Sequence, residues 1–408
     1  MNKKKIWIVT ELFYPEETAV AYIFTRIANH LSATYKVCVI CGPEFYDTNK
    51  EGFVDNAGLS DEIEIYRTKS LSLDKNSLIQ RTIKITVLSF RMGILMCKKI
   101  SKGEVVLLAT NPVLLLLFVR LINFYKNFQL HILVHDVFPE NTIPAKIFKN
   151  NISITYRAIK YLFDKAYSGA DHLIVIGRDM KEIISSKVAR FHTNPIISIV
   201  PNWSDPGKFT GISQKERKEG KIVLQYAGNI GRNQGFEEIL EAFRLSNNNK
   251  LIFNLRGTGA LYSYIENYIS RNSIENINLG GGFSRNEENE ILADCTIGLV
   301  CLSYGMLGLG VPSKSYHLLS AGKPILFIGE PESEISQLIK ENGIGWSLDI
   351  RNQNEMIDFF TNLSSVDTDT LIKMGKKARF LAESEYNEPV ILNLLQSKIE
   401  SVTNQILN

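Results

Sequence analysis

Gly308-Leu-Gly-Val-Pro-Ser-Lys-Ser-Tyr-His-Leu-Leu-Ser-Ala-Gly-Lys-Pro324 is the stretch on which the fold of this chain turns. It follows an apolar run, Thr296 to Ser303, with the length and composition of a buried strand. The first half is a glycine loop. The middle reads as a helix opening at Pro312 and Ser313: Pro suits the first turn, where its missing N–H would be unpaired anyway, and Ser supplies a capping acceptor. Gly322 and Pro324 stop that helix ahead of another apolar strand. Strand, loop, helix and strand make one βαβ unit, the repeating piece of a parallel sheet covered on both faces. Amides gathered at a helix N-terminus attract anions, and Lys314 puts a full positive charge beside them. An ordinary βαβ turn has the same outline.

The unit recurs on either side. Ile6–Thr10, Val37–Cys41, Glu62–Arg67, Val105–Ala109, His131–Val134, Leu173–Ile176 and Ile196–Val200 read as short strands separated by helical stretches. A second series runs Lys221–Tyr226, Leu251–Arg256, Ile277–Leu279, Thr296–Val300 and Ile325–Ile328. With 408 residues, 45% of them hydrophobic, the chain can fill two cores. The polar, Pro- and Gly-bearing stretch after Pro201 suits a linker. The expectation is therefore an α/β protein with a first domain at 1–203, a linker at 204–220 and a second domain at 221–388. Apolar residues at helical spacing from Pro389 onward predict a last helix, 389–408, able to fold back on the first domain.

Composition removes several classes of function. A formal charge of +3 and no basic run interleaved with aromatics argue against nucleic acid. Cys38 and Cys41, three apart on a predicted strand, face opposite sides, so no redox or metal pair is expected. No secretory signal is expected, because the run after the basic Met1–Lys5 is too short. Val113 to Ile122 is interrupted by Arg120 and falls short of the roughly 20 apolar residues that span a bilayer. A cytoplasmic protein, soluble or peripheral, is expected. The charge is lopsided over 74–126: Lys75, Arg81, Lys84, Arg91, Lys98, Lys99, Lys102, Arg120 and Lys126 face only Asp74 and Glu104. Interleaved apolar residues make this either an amphipathic basic helix that lies on an anionic leaflet or a solvated face over a core stripe.

Four further stretches can carry chemistry. Gly228-Asn229-Ile-Gly231-Arg232-Asn-Gln234-Gly235 joins the first strand of the second domain to a helix. Its glycines let backbone close on a ligand, and Arg232 can fork onto phosphate oxygens. Gly257 and Gly259 end the next strand as a second point of backbone approach, or a plain turn. Phe283-Ser284 opens a capping box closed by Glu287, where a base could rest on the loop. His135 and Asp136 end a first-domain strand, where open α/β sheets place ligands; either can hold or move a proton. Asp367-Thr-Asp369 has the outline of a metal signature but precedes a helix, where both residue types are ordinary caps.

Taken together, the Tyr14-Pro-Glu16-Glu17-Thr18-Ala19 loop, the His135–Glu140 turn, Pro201-Asn202, the Gly228–Gly235 loop and the Pro312–Pro324 stretch resemble bacterial glycosyltransferase family 4 of O-antigen, capsule and exopolysaccharide synthesis. The resemblance implies a GT-B fold, two Rossmann-like domains facing across a cleft, and retaining transfer with no metal or other cofactor. It implies a nucleotide-sugar donor on the second domain: a UDP-activated N-acetylated or deoxy-hexosamine held by Gly228, Asn229, Gly231, Gln234, Gly257, Gly259, Phe283, Ser284, Gly308, Gly310, Ser313 and His317. His317 stands where the family's second glutamate would contact the ribose. Arg232 and Lys314 would share the diphosphate's charge, with His135 and Asp136 across the cleft as further catalytic candidates. Glu16, Glu17 and Thr18 would meet a polyprenyl-diphosphate-linked saccharide acceptor at the inner face of the cytoplasmic membrane, an anionic surface bound through 74–126. A GT-B nucleotide-sugar 2-epimerase, or a non-catalytic assembly partner, shares the same outline.

Overall fold

The computed structural model describes residues 3–16, 18–44, 58–71, 78–209, 220–284 and 287–407. Two sheets carry the chain. The first contains β1 (Lys5–Thr10), β2 (Lys36–Cys41), β3 (Glu64–Arg67), β4 (Val105–Ala109), β5 (Gln129–Val134), β6 (His172–Val175) and β7 (Ile196–Ile199), in the order β3-β2-β1-β4-β5-β6-β7. The second contains β8 (Ile222–Ala227), β9 (Leu251–Arg256), β10 (Ile277–Gly280), β11 (Ile297–Cys301), β12 (Ile325–Gly329) and β13 (Gly345–Asp349), in the order β10-β9-β8-β11-β12-β13. Every neighbouring pair is parallel. Strands such as Val105–Ala109 and Ile325–Gly329 are buried along their whole length, as two covered faces require.

Helices cover both faces. In the first domain they are α1 (Ala19–Ser32), α2 (Leu78–Lys99), α3 (Leu115–Lys126), α4 (Ile154–Tyr167) and α5 (Arg178–Ala189). The second adds α6 (Phe236–Leu245), α7 (Tyr262–Arg271), α8 (Glu288–Ala293), α9 (Lys314–Ser320), α10 (Glu334–Asn342), α11 (Gln353–Asn362), α12 (Thr368–Ser384) and α13 (Glu388–Leu407). Strand order reverses between β1 and β4 and again between β8 and β11. Such reversals open a crevice at the strands' C-terminal ends, and the candidate loops after β1, β5, β8 and β11 leave from those ends.

The sequence reading missed β13. Gly345-Trp-Ser-Leu-Asp alternates apolar and polar residues at the sheet's edge, so it lacks the continuous apolar run that marks the inner strands. Asp367 caps α12, its carboxylate accepting from the Thr370 N–H at 2.7 Å. α13 lies on the first domain: Glu388 pairs with Arg26, the Tyr35 hydroxyl donates to Glu400 at 3.3 Å, and Ile391, Leu395 and Ile399 are buried. Residues 210–219 of the expected linker lie outside the described residues.

The basic region is less uniform than its composition suggests. Its 74–77 end lies outside the described residues. α2 buries Leu88, Met92 and Met96 in the core, and Lys84 is buried with them. Arg91 donates to the Lys69 carbonyl, Arg120 to the Ser168 hydroxyl, and Lys99 lies 4.4 Å from the Tyr66 ring centroid. Several of these cations therefore hold the domain together. Beside the exposed Lys98, Lys99 and Lys102, the surface presents apolar side chains: Ile83, Phe90 and Ile94 on α2, then Leu121, Phe124 and Tyr125 on α3. Among the described residues no helix is long and apolar enough to cross a membrane.

Candidate active site at the inter-domain cleft

The loop after β5 and the glycine loop after β11 meet backbone to backbone. Asp136 and Gly310 form an antiparallel bridge, and the Val137 N–H donates to the Leu309 carbonyl at 3.0 Å. Gly308 has φ of +68°, and a Cβ there would lie 2.7 Å from the Asp179 carbonyl oxygen. Its N–H donates to the Asp179 carboxylate at 3.3 Å, which also accepts from the Glu334 N–H at 3.1 Å. This corrects the expectation for Gly308: its amide docks the domains together rather than facing an anion. Arg178 adds ion pairs to Glu334 at 3.1 Å and Glu341 at 2.6 Å.

Lys314 begins α9 just beyond this seam. Its ammonium lies 4.6 Å from the centroid of the Tyr226 ring. Its chain crosses Gly228, where a Cβ would stand 2.2 Å from Lys314 Cε. No carboxylate pairs with it among the described residues. Burial lowers its pKa, the response of a cation that has lost water without gaining an acid. α9 is seven residues long, and Ser313 makes no side-chain cap bond, so the charge of Lys314 outweighs any helix dipole here.

The Gly228–Gly235 loop packs against the turn after β9. The Ile230 N–H donates to the Thr258 carbonyl at 2.8 Å. A Cβ on Gly257 would fall 1.8 Å from the Gly228 oxygen, and one on Gly259 would fall 2.3 Å from the Ile230 oxygen. The neighbouring loop requires both glycines, which accounts for them without a donor. Gly231 leaves room for the Asn229 and Gln234 side chains, at 2.7 and 2.8 Å from a would-be Cβ. The side-chain oxygens of Asn233, Gln234 and Ser303 are buried with no hydrogen-bond partner among the described residues. Arg232 is exposed beside them.

The remaining candidates divide. Asp136 reaches cleft water, but protein closes around it, and that desolvation raises its pKa to about 6. His135 turns toward α1, edge-on to Phe24 at 5.7 Å, with Nε2 buried and without a partner among the described residues; burial lowers its pKa to about 4. His317 gives Nδ1 to Glu288 at 2.5 Å, so only Nε2 is left to serve a ribose. Burial opposes ionisation of Glu288, yet His317 and Lys208, the latter at 2.6 Å, outweigh it and bring its pKa to about 2. The Ser284 N–H donates to Glu287 at 2.7 Å, one half of the expected capping box, but α8 is capped at Glu287 rather than Ser284; Phe283 is half-buried. Thr18 caps α1, accepting from the Ala21 N–H at 3.3 Å; Glu16 is half-buried, and Glu17 lies outside the described residues.

No family model matches the chain. Among curated proteins it is similar to a probable glycosyltransferase, WbjE of Pseudomonas aeruginosa, at 35% identity over 326 residues, covering 78% of this chain and 80% of that one. The chain belongs to the bacterial glycosyltransferases. A putative colanic acid biosynthesis glycosyl transferase, WcaI of Escherichia coli, is 26% identical over 34% of this chain and 36% of that one. Solved structures share the GT-B architecture at low identity. WaaG, a glycosyltransferase involved in lipopolysaccharide biosynthesis, gives a TM-score of 0.65 at 13% identity over 98% of this chain and 99% of its own. Sucrose-phosphate synthase of Thermosynechococcus elongatus gives 0.73 at 11% over 99% and 100%. Anabaena HepE, solved with UDP and glucose, gives 0.66 at 12% over 98% and 100%.

Three residues of this transferase escaped the sequence reading. Asp179 and Arg178 fasten the domains, and the signal for Asp179 was an acid in the first turn of a helix. Tyr226 seats Lys314 on its ring and donates its hydroxyl to the Asn229 carbonyl at 2.6 Å. Its place at the end of a buried strand gave no sign of that role.

Proposed function

We propose that this glycosyltransferase moves a sugar, with retention, from a UDP-activated hexosamine to a lipid-diphosphate-linked saccharide during lipopolysaccharide or capsule synthesis. The observation that carries the proposal is Lys314, a desolvated cation with no carboxylate partner among the described residues, laid across the glycine loop that follows β8. A diphosphate is the partner such a cation lacks. The bond from the anomeric carbon to the donor diphosphate breaks as the bond to the acceptor oxygen forms on the same face, and the acceptor's proton passes to the departing phosphate. Lys314 and Arg232 meet the charge that develops on that phosphate, an interaction stronger in the transition state than in the ground state. Side chains supply this charge without a divalent metal. Asp136, held opposite Gly310, orients the sugar or acceptor from the first domain. The exposed apolar side chains of α2 and α3, with Lys98 and Lys126 among them, rest on the anionic inner leaflet.

The test is a radiolabelled UDP-sugar incubated with membrane lipid extract and the purified chain. Label in lipid supports transfer. Label recovered as free isomerised donor supports an epimerase, and unchanged donor supports an assembly role. Lys314→Ala and Arg232→Ala should lower turnover without matching losses of stability; full turnover in both takes them out of the diphosphate site.

A further inference from the structure

A cavity of about 1480 Å³ opens between the domains, and neither Lys314 nor His317 lines it. Its first wall is α4 and α5; its second is Arg232, Gly235, the start of α6 and residues 303–309. Six bases line it against four acids, Glu140, Asp164, Glu237 and Glu238. Lys187 is buried against Glu140 and Asp164 at 2.6 and 2.5 Å, and Lys160 bridges the same two acids. Arg190 pairs with Asp164 and lies 5.6 Å from the Tyr161 ring centroid. Arg157 on the first wall and Arg232 on the second are exposed and have no carboxylate partner among the described residues. The surplus charge thus resides in two guanidiniums contributed by different domains.

The first wall is also apolar where water should reach it. Ile154 and Tyr161 line the cavity and are 86% and 48% exposed, with Ile152 and Leu162 exposed nearby. A ligand that is anionic at one end and hydrocarbon at the other would cover both features. A sugar nucleotide, polar along most of its length, covers less of that apolar wall than a prenyl chain does. The volume exceeds the roughly 300–1,000 Å³ of a pocket for one small ligand, leaving room for attached sugars.

We infer that this groove holds the acceptor: its diphosphate at Arg157 and Arg232, its first prenyl units along Ile154 and Tyr161. The inference rests on the transfer reaction proposed above and names where that reaction's second substrate sits. Arg232 then stands at the boundary of two phosphate sites, with Lys314 on the donor side and Arg157 on the acceptor side.

Calorimetric titration of the full chain with farnesyl diphosphate, inorganic pyrophosphate and UDP tests this without requiring turnover. Arg157 is exposed and unpaired, so Arg157→Glu should fold, as its melting temperature will show. Losing a charge-assisted contact should weaken farnesyl diphosphate about tenfold or more in that variant. Ile154→Ser should weaken farnesyl diphosphate severalfold and leave pyrophosphate unchanged. UDP should bind wild type and Arg157→Glu alike and lose affinity in Lys314→Met. Farnesyl diphosphate that binds no better than pyrophosphate, or equally well to Arg157→Glu, overturns the assignment. So does UDP affinity that falls in Arg157→Glu, because the groove would then belong to the donor. A chain that ignores UDP removes the transfer reading while the farnesyl diphosphate arm still decides the groove.

Discussion

Lys187 of the first domain and Lys314 of the second both have a charge that burial disfavours, and the two are opposites. Lys187 points into a cage: Glu140 and Asp164 flank its ammonium, and the Phe138 carbonyl accepts from it at 3.3 Å. Lys314 has an aromatic face and a glycine, and no acid among the described residues. Burial disfavours the charge in both. For Lys187 the acids are already in place, so the charge is architecture, pinning the His135–Glu140 turn onto α4 and α5. For Lys314 the compensation is missing, and an arriving anion would relieve it. A buried charge points to a ligand only when the fold has failed to pair it.

Deleting each charge should break the likeness completely. Lys187→Met leaves Glu140 and Asp164 only the partly exposed Lys160 and Arg190, and should cost about 1.5–3 kcal/mol in urea unfolding. Lys314→Met strands nothing, so its stability should match or exceed wild type. Its turnover should instead fall about 10²–10³-fold in the labelled-donor assay, the usual effect of removing one transition-state charge contact. Equal effects of the two substitutions on stability would erase the distinction.

The carboxylates nearest the two lobes of the cleft sharpen it through pH. Glu288 titrates near 2 in the folded protein, below its ordinary 4.5, so the stability it gives is present above about 4.5 and lost as pH falls toward 2. That contribution is up to about 3 kcal/mol. Asp136 is displaced the other way, from 3.8 to about 6, so its contribution is full below about 3.8 and lost as pH rises through 6. Denaturation followed from pH 7 to 2 should show both slopes. Asp136→Asn should flatten the upper limb and Glu288→Gln the lower one. Unchanged profiles would mean these carboxylates titrate as they would in water.

Most of the architecture was legible because parallel strands covered on both faces are forced into apolar runs, as at Val105–Ala109 and Ile297–Cys301. Where burial is partial the signal fades, which is why the edge strand Gly345–Asp349 escaped. Lys314 could be singled out because it puts a charge at a predicted helix start beside glycine backbone. Partnerships across long separations could not. Nothing near Gly308 announces Asp179, 129 residues earlier, and nothing near His317 announces that Glu288 will take its Nδ1. Gly257 and Gly259 are ambiguous for a related reason: a glycine reports that something comes close, not whether it is a ligand or another loop.

The same ambiguity at Gly228 can be resolved, and it carries the smallest of the expected effects. Its φ of +143° is unfavourable for any side chain, and a Cβ would meet Lys314 Cε at 2.2 Å. Gly228→Ala should therefore cost about 1–3 kcal/mol. Part of that cost is backbone strain, and part is the displaced lysine. Lys314→Ala removes the second part alone, so Gly228→Ala should be milder in that background by about 1 kcal/mol, a coupling that a double-mutant cycle reads directly. Methionine would not serve as the partner substitution, since it keeps an atom at the ε position. A cycle that closes with no coupling would mean that Lys314 does not rest on this glycine, and that the cation in the cleft is held by something other than the loop after β8.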